Sequence, residues 1–289
     1  MANPLFCYPN WTLPSTVYTP TFDAPGWLDT SLLQGDVLSE MARYPGVNPA
    51  NTKLLIDLKT PRNIRVLAAP FHNARLGDAM RMSLYTDAGL TDMVLDSGWK
   101  EFFGIIYPYG SLPVTHVSAI DGRMSPEQAA GERPLWWHLA PEEVIGLYLL
   151  VEANFSGNAD GVVDLGQIVA SPGISPAYNF SYGVRPPYYR DPSTKRRAKG
   201  GPAFVDPQRP YRTTSMQFDW LDRSELYGPL FEMVKRYGVS KPFLFIYDPA
   251  APEEIFQKQS FMATAERISD PVHPRYGTYG MTIEISEAF

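Results

Sequence analysis

Three tryptophans and one basic, tyrosine-rich stretch are the parts of this 289-residue sequence best suited to hold a partner. Trp99 and the adjacent pair Trp136 and Trp137 are candidates for stacking on a sugar, because an exposed indole beside polar groups offers a flat apolar face to a sugar ring. Neighbouring residues of a strand point to opposite faces. One of the pair is therefore expected in the core and the other at the surface, unless core or a loop covers both. The second chemistry lies between Tyr182 and Lys199. Arg185, Arg190, Lys195, Arg196, Arg197 and Lys199 stand there against the single acid Asp191, a local charge of +5 in a chain whose net charge is −6. Arginine pairs with carboxylates through two parallel hydrogen bonds, and tyrosine fills pockets with a ring that ends in a hydroxyl. Tyr182, Arg185, Tyr188, Tyr189, Arg190, Arg196, Arg197 and Lys199 thus read as a partner-binding arm, the alternative being a solvated basic loop.

Catalytic chemistry finds no anchor. The sequence has no glycine-rich phosphate loop before a helix, no H-E-x-x-H, no C-x-x-C and no G-x-S-x-G. No catalytic residue and no cofactor is expected. The four histidines, His72, His116, His138 and His273, fall in separate segments and read as turn or core residues rather than zinc ligands. Asp87 in TDAGLTD and Asp160 in GNADG lack the ligand count of a calcium loop and read as turns, so no metal is expected. A lone Cys7 excludes an internal disulfide and any site built on several thiolates. A glycoside hydrolase would need two carboxylates about 5 to 9.5 Å apart, and no Asp or Glu is marked for that by its local context.

The elements that would carry these residues read as strands. Prolines number 28 and charged residues are 19%, which disfavours long helices, while 38 aromatics supply buried surface. Period-two alternation marks residues 52–58; Thr60 to Asn63 reads as a turn, and strands resume over 64–69 and 80–86. Further strands are expected over 101–107, 135–139, 145–153 and 162–170, with turn chemistry at 157–161. From Ser171 to Arg212 no periodicity survives, and a connection of that length without structure is unusual inside a compact domain. Beyond it, Met216, Phe218 and Trp220 are expected on one face of a strand. Asp222 to Glu225 has the form of a capping box opening a helix that carries Leu226, Leu230, Met233, Val234 and Tyr237, bends at Pro229 and closes at Gly238. Strands follow over 242–247, 259–268 and 276–286.

The fold expected is mainly β: a jelly-roll-like β-sandwich plus a smaller β domain carrying one helix, joined by an extended arm. The divisions are 1–171 for an N-terminal segment and the sandwich, 172–212 for the basic Pro- and Tyr-rich arm, and 213–289 for the C-terminal domain. The acidic balance argues against nucleic acid as a partner. The first residues lack the basic start of a signal peptide, and no apolar run approaches the roughly 18 residues of a membrane span. Insertion in a membrane is not expected. The N-x-[ST] triplets at Asn10, Asn154 and Asn179 read as chance matches without an export signal.

Several runs also carry a resemblance. APGWLD at 24–29, NTKLLIDLKTPRNIRVLAAPFHN at 51–73 and DGVVDLGQIVAS at 160–171 resemble the galactose-binding-like, discoidin-type jelly roll. The order of that half, then SYGVRPP, then FDWL and a helix, then a DP turn and a final YGMTIEISE strand, is similar to tail-tip (distal tail, baseplate) proteins of tailed phages and prophages. The resemblance implies a non-enzymatic virion structural protein made in the cytoplasm of a host bacterium. It would form a homo-oligomeric ring at the tail tip that joins the tube to the hub or fibres. The alternative is a carbohydrate-binding module that recognises a host surface polysaccharide in host attachment. Discoidin-type relatives often hold calcium or sugar, and this sequence shows no clear ligand set for either.

Overall fold

The computed structural model describes residues 2–18, 26–107, 110–120, 122–129, 133–197, 200–201 and 203–289. Its first sheet is organised around two long antiparallel strands, Lys53–Ala69 and Trp136–Asn154. Each of them joins two of the strands expected from the sequence. Thr60 to Asn63 is not a turn: the ladder shifts register between Asp57 and Arg62, with Lys59 at φ 66° and its N–H held by Asp57 Oδ1 at 2.7 Å. A bulge of this kind absorbs extra residues and lets Pro61 sit inside the strand. The sheet runs Val169–Ser171, Lys53–Ala69, Trp136–Asn154, Ala79–Tyr85, Met93–Asp96, with Thr16–Tyr18 on Lys53–Ala69 and Lys100–Glu101 on Ala79–Tyr85. Residues 102–107, expected as strand, lie outside the ladder.

The second sheet is also antiparallel and runs Leu5–Cys7, Phe243–Ile246, Ser260–Ile268, Thr278–Glu287, Tyr211–Leu221, Arg185–Arg190. Val272–Arg275 folds back onto Thr278–Glu287. The chain is thus mainly β, built on two antiparallel sheets with short helices. Its first strand belongs to the second sheet although it precedes the sandwich segment in sequence, so residues at the two ends of the chain share one ladder.

Apolar side chains form three layers. Phe6, Phe243, Phe245, Met216, Phe218, Ile283 and Ile285 fill the outer face of the second sheet with Leu226, Leu230 and Met233 of the helical segment. Leu5, Cys7, Leu244, Ile246 and Met262 leave its other face to meet Val66, Ala68 and Val169 of the first sheet. The remaining face of the first sheet buries Leu54, Ile56, Leu67, Met80, Met82, Leu149 and Val151. Phe243–Ile246 is buried at every residue because both of its faces are covered, which explains its unbroken apolar run.

Departures from the sequence reading also fall in the second sheet and the helices beside it. A bulge between Phe218 and Leu221 turns Trp220 outward and Leu221 inward, so Trp220 does not share the face of Met216 and Phe218. The expected helix opens on its capping box at Asp222 and Glu225, is interrupted at Gly228 beside Pro229, where a bend is expected, and runs through Phe231–Arg236 to the expected close at Gly238, φ 53°. Val234 faces solvent there. A further helix, Glu253–Gln259, was not expected; its Phe256 is fully buried between the sheets.

Residues 172–212 are tied to the body along part of their length. Phe6 and Ile174 exchange backbone hydrogen bonds of 2.9 and 2.7 Å, and Phe180 packs on Tyr247 at 5.1 Å. Arg185–Arg190 is the edge strand of the second sheet. Such an edge leaves most of its side chains in solvent and needs only backbone pairing, so it shows no hydrophobic period. Beyond it, Thr194–Arg197 and Ala203–Asp206 pair only with each other, as a hairpin whose strand residues are all exposed.

Candidate functional sites

The three tryptophans expected to stack on sugar line one groove of about 440 Å³. Their roles differ. Trp136 is buried, and its indole N–H donates to the Lys100 carbonyl at 3.1 Å. Trp137, on the opposite face of the strand, is partly covered because one ring face stacks on Phe256 at 3.8 Å and 14°. Trp99 keeps 49% of its surface exposed and is the open platform of the three.

Charged groups from separate segments surround them. Lys100 Nζ lies 5.8 Å from the Trp137 ring and 3.1 Å from His138 Nδ1. Burial pushes the Lys100 ammonium below the usual lysine range, against the pull of Glu253. Burial also lowers His138, and the Lys100 charge lowers it further. An uncharged imidazole that accepts from the ammonium satisfies both shifts. Arg123 pairs with Glu101 across the same groove, and Glu253 completes its lining. Lys100, Glu101, Arg123 and Glu253 escaped the sequence reading, and His138 is read there only as a turn or core residue, because each stands in an unremarkable local context and only tertiary folding gathers them. The group offers one aromatic face beside a cation and carboxylates, which suits a polar ring-shaped ligand.

The arm residues divide among different surfaces. Tyr182, Arg185 and Arg190 line a polar groove of about 400 Å³ together with Tyr211, Glu266 and Glu284. Pro186 and Pro187 fall at the register shift between Arg185 and Tyr188, both of which are exposed. Tyr189 lines a larger groove of about 740 Å³, where residues of both sheets meet. Arg196 and Arg197 stand on the hairpin with Lys195 and the exposed Phe204 and Val205. Ser193 Oγ closes the hairpin's base by accepting the Gln208 N–H at 2.9 Å. Lys199 lies outside the described residues. The structure therefore gathers the tryptophans in one place and spreads the arm over several.

Trypsin is expected to cut the isolated protein first within 190–197, where backbone lies at an exposed edge and hairpin. The bonds before Pro186 and Pro210 resist it. Mass spectrometry of a limited digest checks this; first cuts inside the sheets would contradict it.

Of the remaining candidates, His72 is a core residue, its ring 4.1 Å from that of Phe102. Asp87 accepts the N–H groups of Thr91 and Asp92 in a turn, and these bonds hold its carboxyl below the usual range. Among the described residues, no three His, Cys, Asp or Glu side chains gather as a metal site would need. No described helix is long and apolar enough to cross a membrane.

No protein-family model matches the sequence, and no curated protein matches it either. Solved structures do show a likeness. "CpGH89CBM32-6" of Clostridium perfringens is 10% identical with a TM-score of 0.31, covering 56% of this chain and 97% of its own. CBM32-1 from a family 31 glycoside hydrolase of Clostridium perfringens is 9% identical with a TM-score of 0.35, covering 57% and 98%. The CBM32 of AlyQ, solved in complex with 4,5-unsaturated mannuronic acid, is 11% identical with a TM-score of 0.30, covering 54% and 92%. Likeness at this level carries nothing about what the present chain binds.

Proposed function

We propose that the chain is a non-enzymatic assembly subunit, a structural protein of a phage or prophage tail tip that meets its neighbours through the hairpin. The observation that supports this reading is the hairpin Thr194–Arg197/Ala203–Asp206, which contributes nothing to a core and displays Lys195, Arg196, Arg197, Phe204 and Val205 to solvent. Ordering a segment costs about 1–2 kcal/mol per residue in backbone entropy, which contacts must offset. A neighbouring subunit would supply such contacts. In a ring the contact is heterologous, one patch meeting a different patch on the next copy. The tail-tip assignment itself rests on the resemblance of segment order. Gold-labelled antibody against the chain should decorate one end of the tails released from the bacterium that encodes it. Particles without label would overturn the assignment. Tails that form normally with Arg196 and Arg197 changed to Ala would show that these cations are not the contact.

The Trp99 groove favours a second reading, recognition of a host surface polysaccharide. Cell-surface polysaccharide is then expected to quench tryptophan fluorescence in the wild-type chain and not in Trp99→Ala, whose ring is too exposed to matter for folding. Equal responses from the two proteins, or none from either, would remove this reading.

A further inference from the structure

We infer that the hairpin strand Thr194–Arg197 of one copy adds to the free edge of the first sheet, strand Met93–Asp96, on a second copy of this chain. The inference rests on the assembly reading above and names the acceptor that reading lacks. Met93–Asp96 pairs with Ala79–Tyr85 on one side only, through Tyr85, Leu84 and Ser83, and ends the sheet. An end strand presents a row of backbone donors and acceptors on which another strand can build.

Three other edges are blocked in ways that this one is not, and Thr16–Tyr18, a further short edge of the first sheet, is only three residues long. Arg185–Arg190 carries Pro186 and Pro187, which cannot donate. Leu5–Cys7 already exchanges hydrogen bonds with Ile174, and Ala170 of Val169–Ser171 accepts from Trp11. Met93–Asp96 has neither proline nor lysine and exposes Met93. The donor and acceptor strands are each four residues long.

Charge selects the pairing. Residues 86–96 contain Asp87, Asp92 and Asp96 and no Lys or Arg. Asp96 is matched by Arg81 at 2.7 Å, while among the described residues Asp87 and Asp92 have no cationic partner. On the hairpin, Lys195, Arg196 and Arg197 have no described carboxylate within ion-pair reach. Ala203–Asp206, the other hairpin strand, ends in an acid and suits the acidic edge less well. Two unmatched sets of opposite sign, one on the hairpin strand and one in the turn that leads into the open edge strand, therefore lie on different parts of the subunit. That is the arrangement a head-to-tail contact requires.

Sedimentation of the purified full chain at low salt, up to its solubility limit, tests the inference. The wild type should self-associate and dissociate as salt rises. Reversing Lys195, Arg196 and Arg197 to Glu should weaken association on the order of tenfold or more, and reversing Asp87 and Asp92 to Lys should do the same. Both reversals in one chain should restore it. Lys195, Arg196, Arg197 and Asp92 are exposed, whereas Asp87 holds its turn through the Thr91 and Asp92 N–H groups, so Asp92→Lys alone serves as the acceptor variant if circular dichroism shows that Asp87→Lys disturbs the fold. If the hairpin reversal weakens association and the Asp reversal does not, the hairpin remains the contact and this acceptor is wrong. A wild type that stays monomeric overturns the second copy as occupant, whereas the tail-tip reading stands or falls separately on the labelled particles.

Discussion

Phe6→Ala is expected to lower the free energy of unfolding by about 3–5 kcal/mol, the range for truncating a buried aromatic. Phe6 has no exposed surface, and its ring meets those of Phe218, Phe243 and Phe245 at 6.2, 6.1 and 5.4 Å. These partners come from two other strands of the second sheet, so the vacated volume is walled by rings already fixed by their own ladder. Collapse into the cavity would be small. A thermal melt followed by circular dichroism should show the midpoint falling by roughly 6–20 °C, at about 2–4 °C per kcal/mol for a chain of this size. A loss below about 1 kcal/mol would mean that the first strand is not docked on Phe243–Ile246 in solution. Leu5→Ala probes the opposite face of the same strand, where Leu5 faces Val66 of the first sheet. It should also destabilise, by about 2–5 kcal/mol, through the layer between the sheets.

Phe6 also shows where reading the sequence succeeds and where it stops. Strands were legible wherever one face is buried and the other wet, as in Leu54, Ile56 and Leu58, because alternation reports burial directly. The capping box at Asp222 was legible because its hydrogen bonds are local. The assignment of Leu5–Cys7 to the second sheet was not, since LFC is too short to show a period and its partner lies more than 230 residues away. The bulge at Asp57–Arg62 was missed for a different reason, since turn-forming and bulge-forming residues are the same types, and the one at Phe218–Leu221 because FDWL continues an apparent alternation. At the candidate site, Trp99, Trp136 and Trp137 could be named by type. Which of them keeps an open ring depends on Phe256, delivered by a helix whose seven residues are too few to establish a pattern. The arm was legible as a charge anomaly, while its edge strand and hairpin, held mainly by backbone pairing, left no mark in side-chain order.

Acid should destabilise the protein through His72, and Asp78 should mask part of the effect. The His72 ring is buried, with Nε2–H donating to the Pro134 carbonyl at 2.7 Å and Nδ1 accepting the Ala74 N–H at 3.1 Å. Both nitrogens are therefore committed in the neutral form. A proton on Nδ1 would turn that acceptor toward a donor, and burial already disfavours the cation, so the folded group titrates at about 4. In the unfolded chain it titrates near 6.5. Above that value the neutral ring contributes fully. As pH falls from about 6.5 to about 4, the unfolded chain takes the proton first and stability is lost, roughly 3 kcal/mol in total. Asp78 acts in the opposite direction. Burial raises its carboxyl to about 6, and Oδ1 has no described partner while Oδ2 accepts the Arg75 N–H at 2.7 Å. Between about 6 and its unfolded value near 3.9 the folded state holds the extra proton, so falling pH stabilises it there. Urea unfolding at about pH 7.5 and about pH 4.5 should therefore show a modest loss in the wild type and a larger one in Asp78→Asn. Adding His72→Gln to Asp78→Asn should remove most of that larger loss. If the acid loss persists undiminished in the double variant, His72 is not the group that carries it.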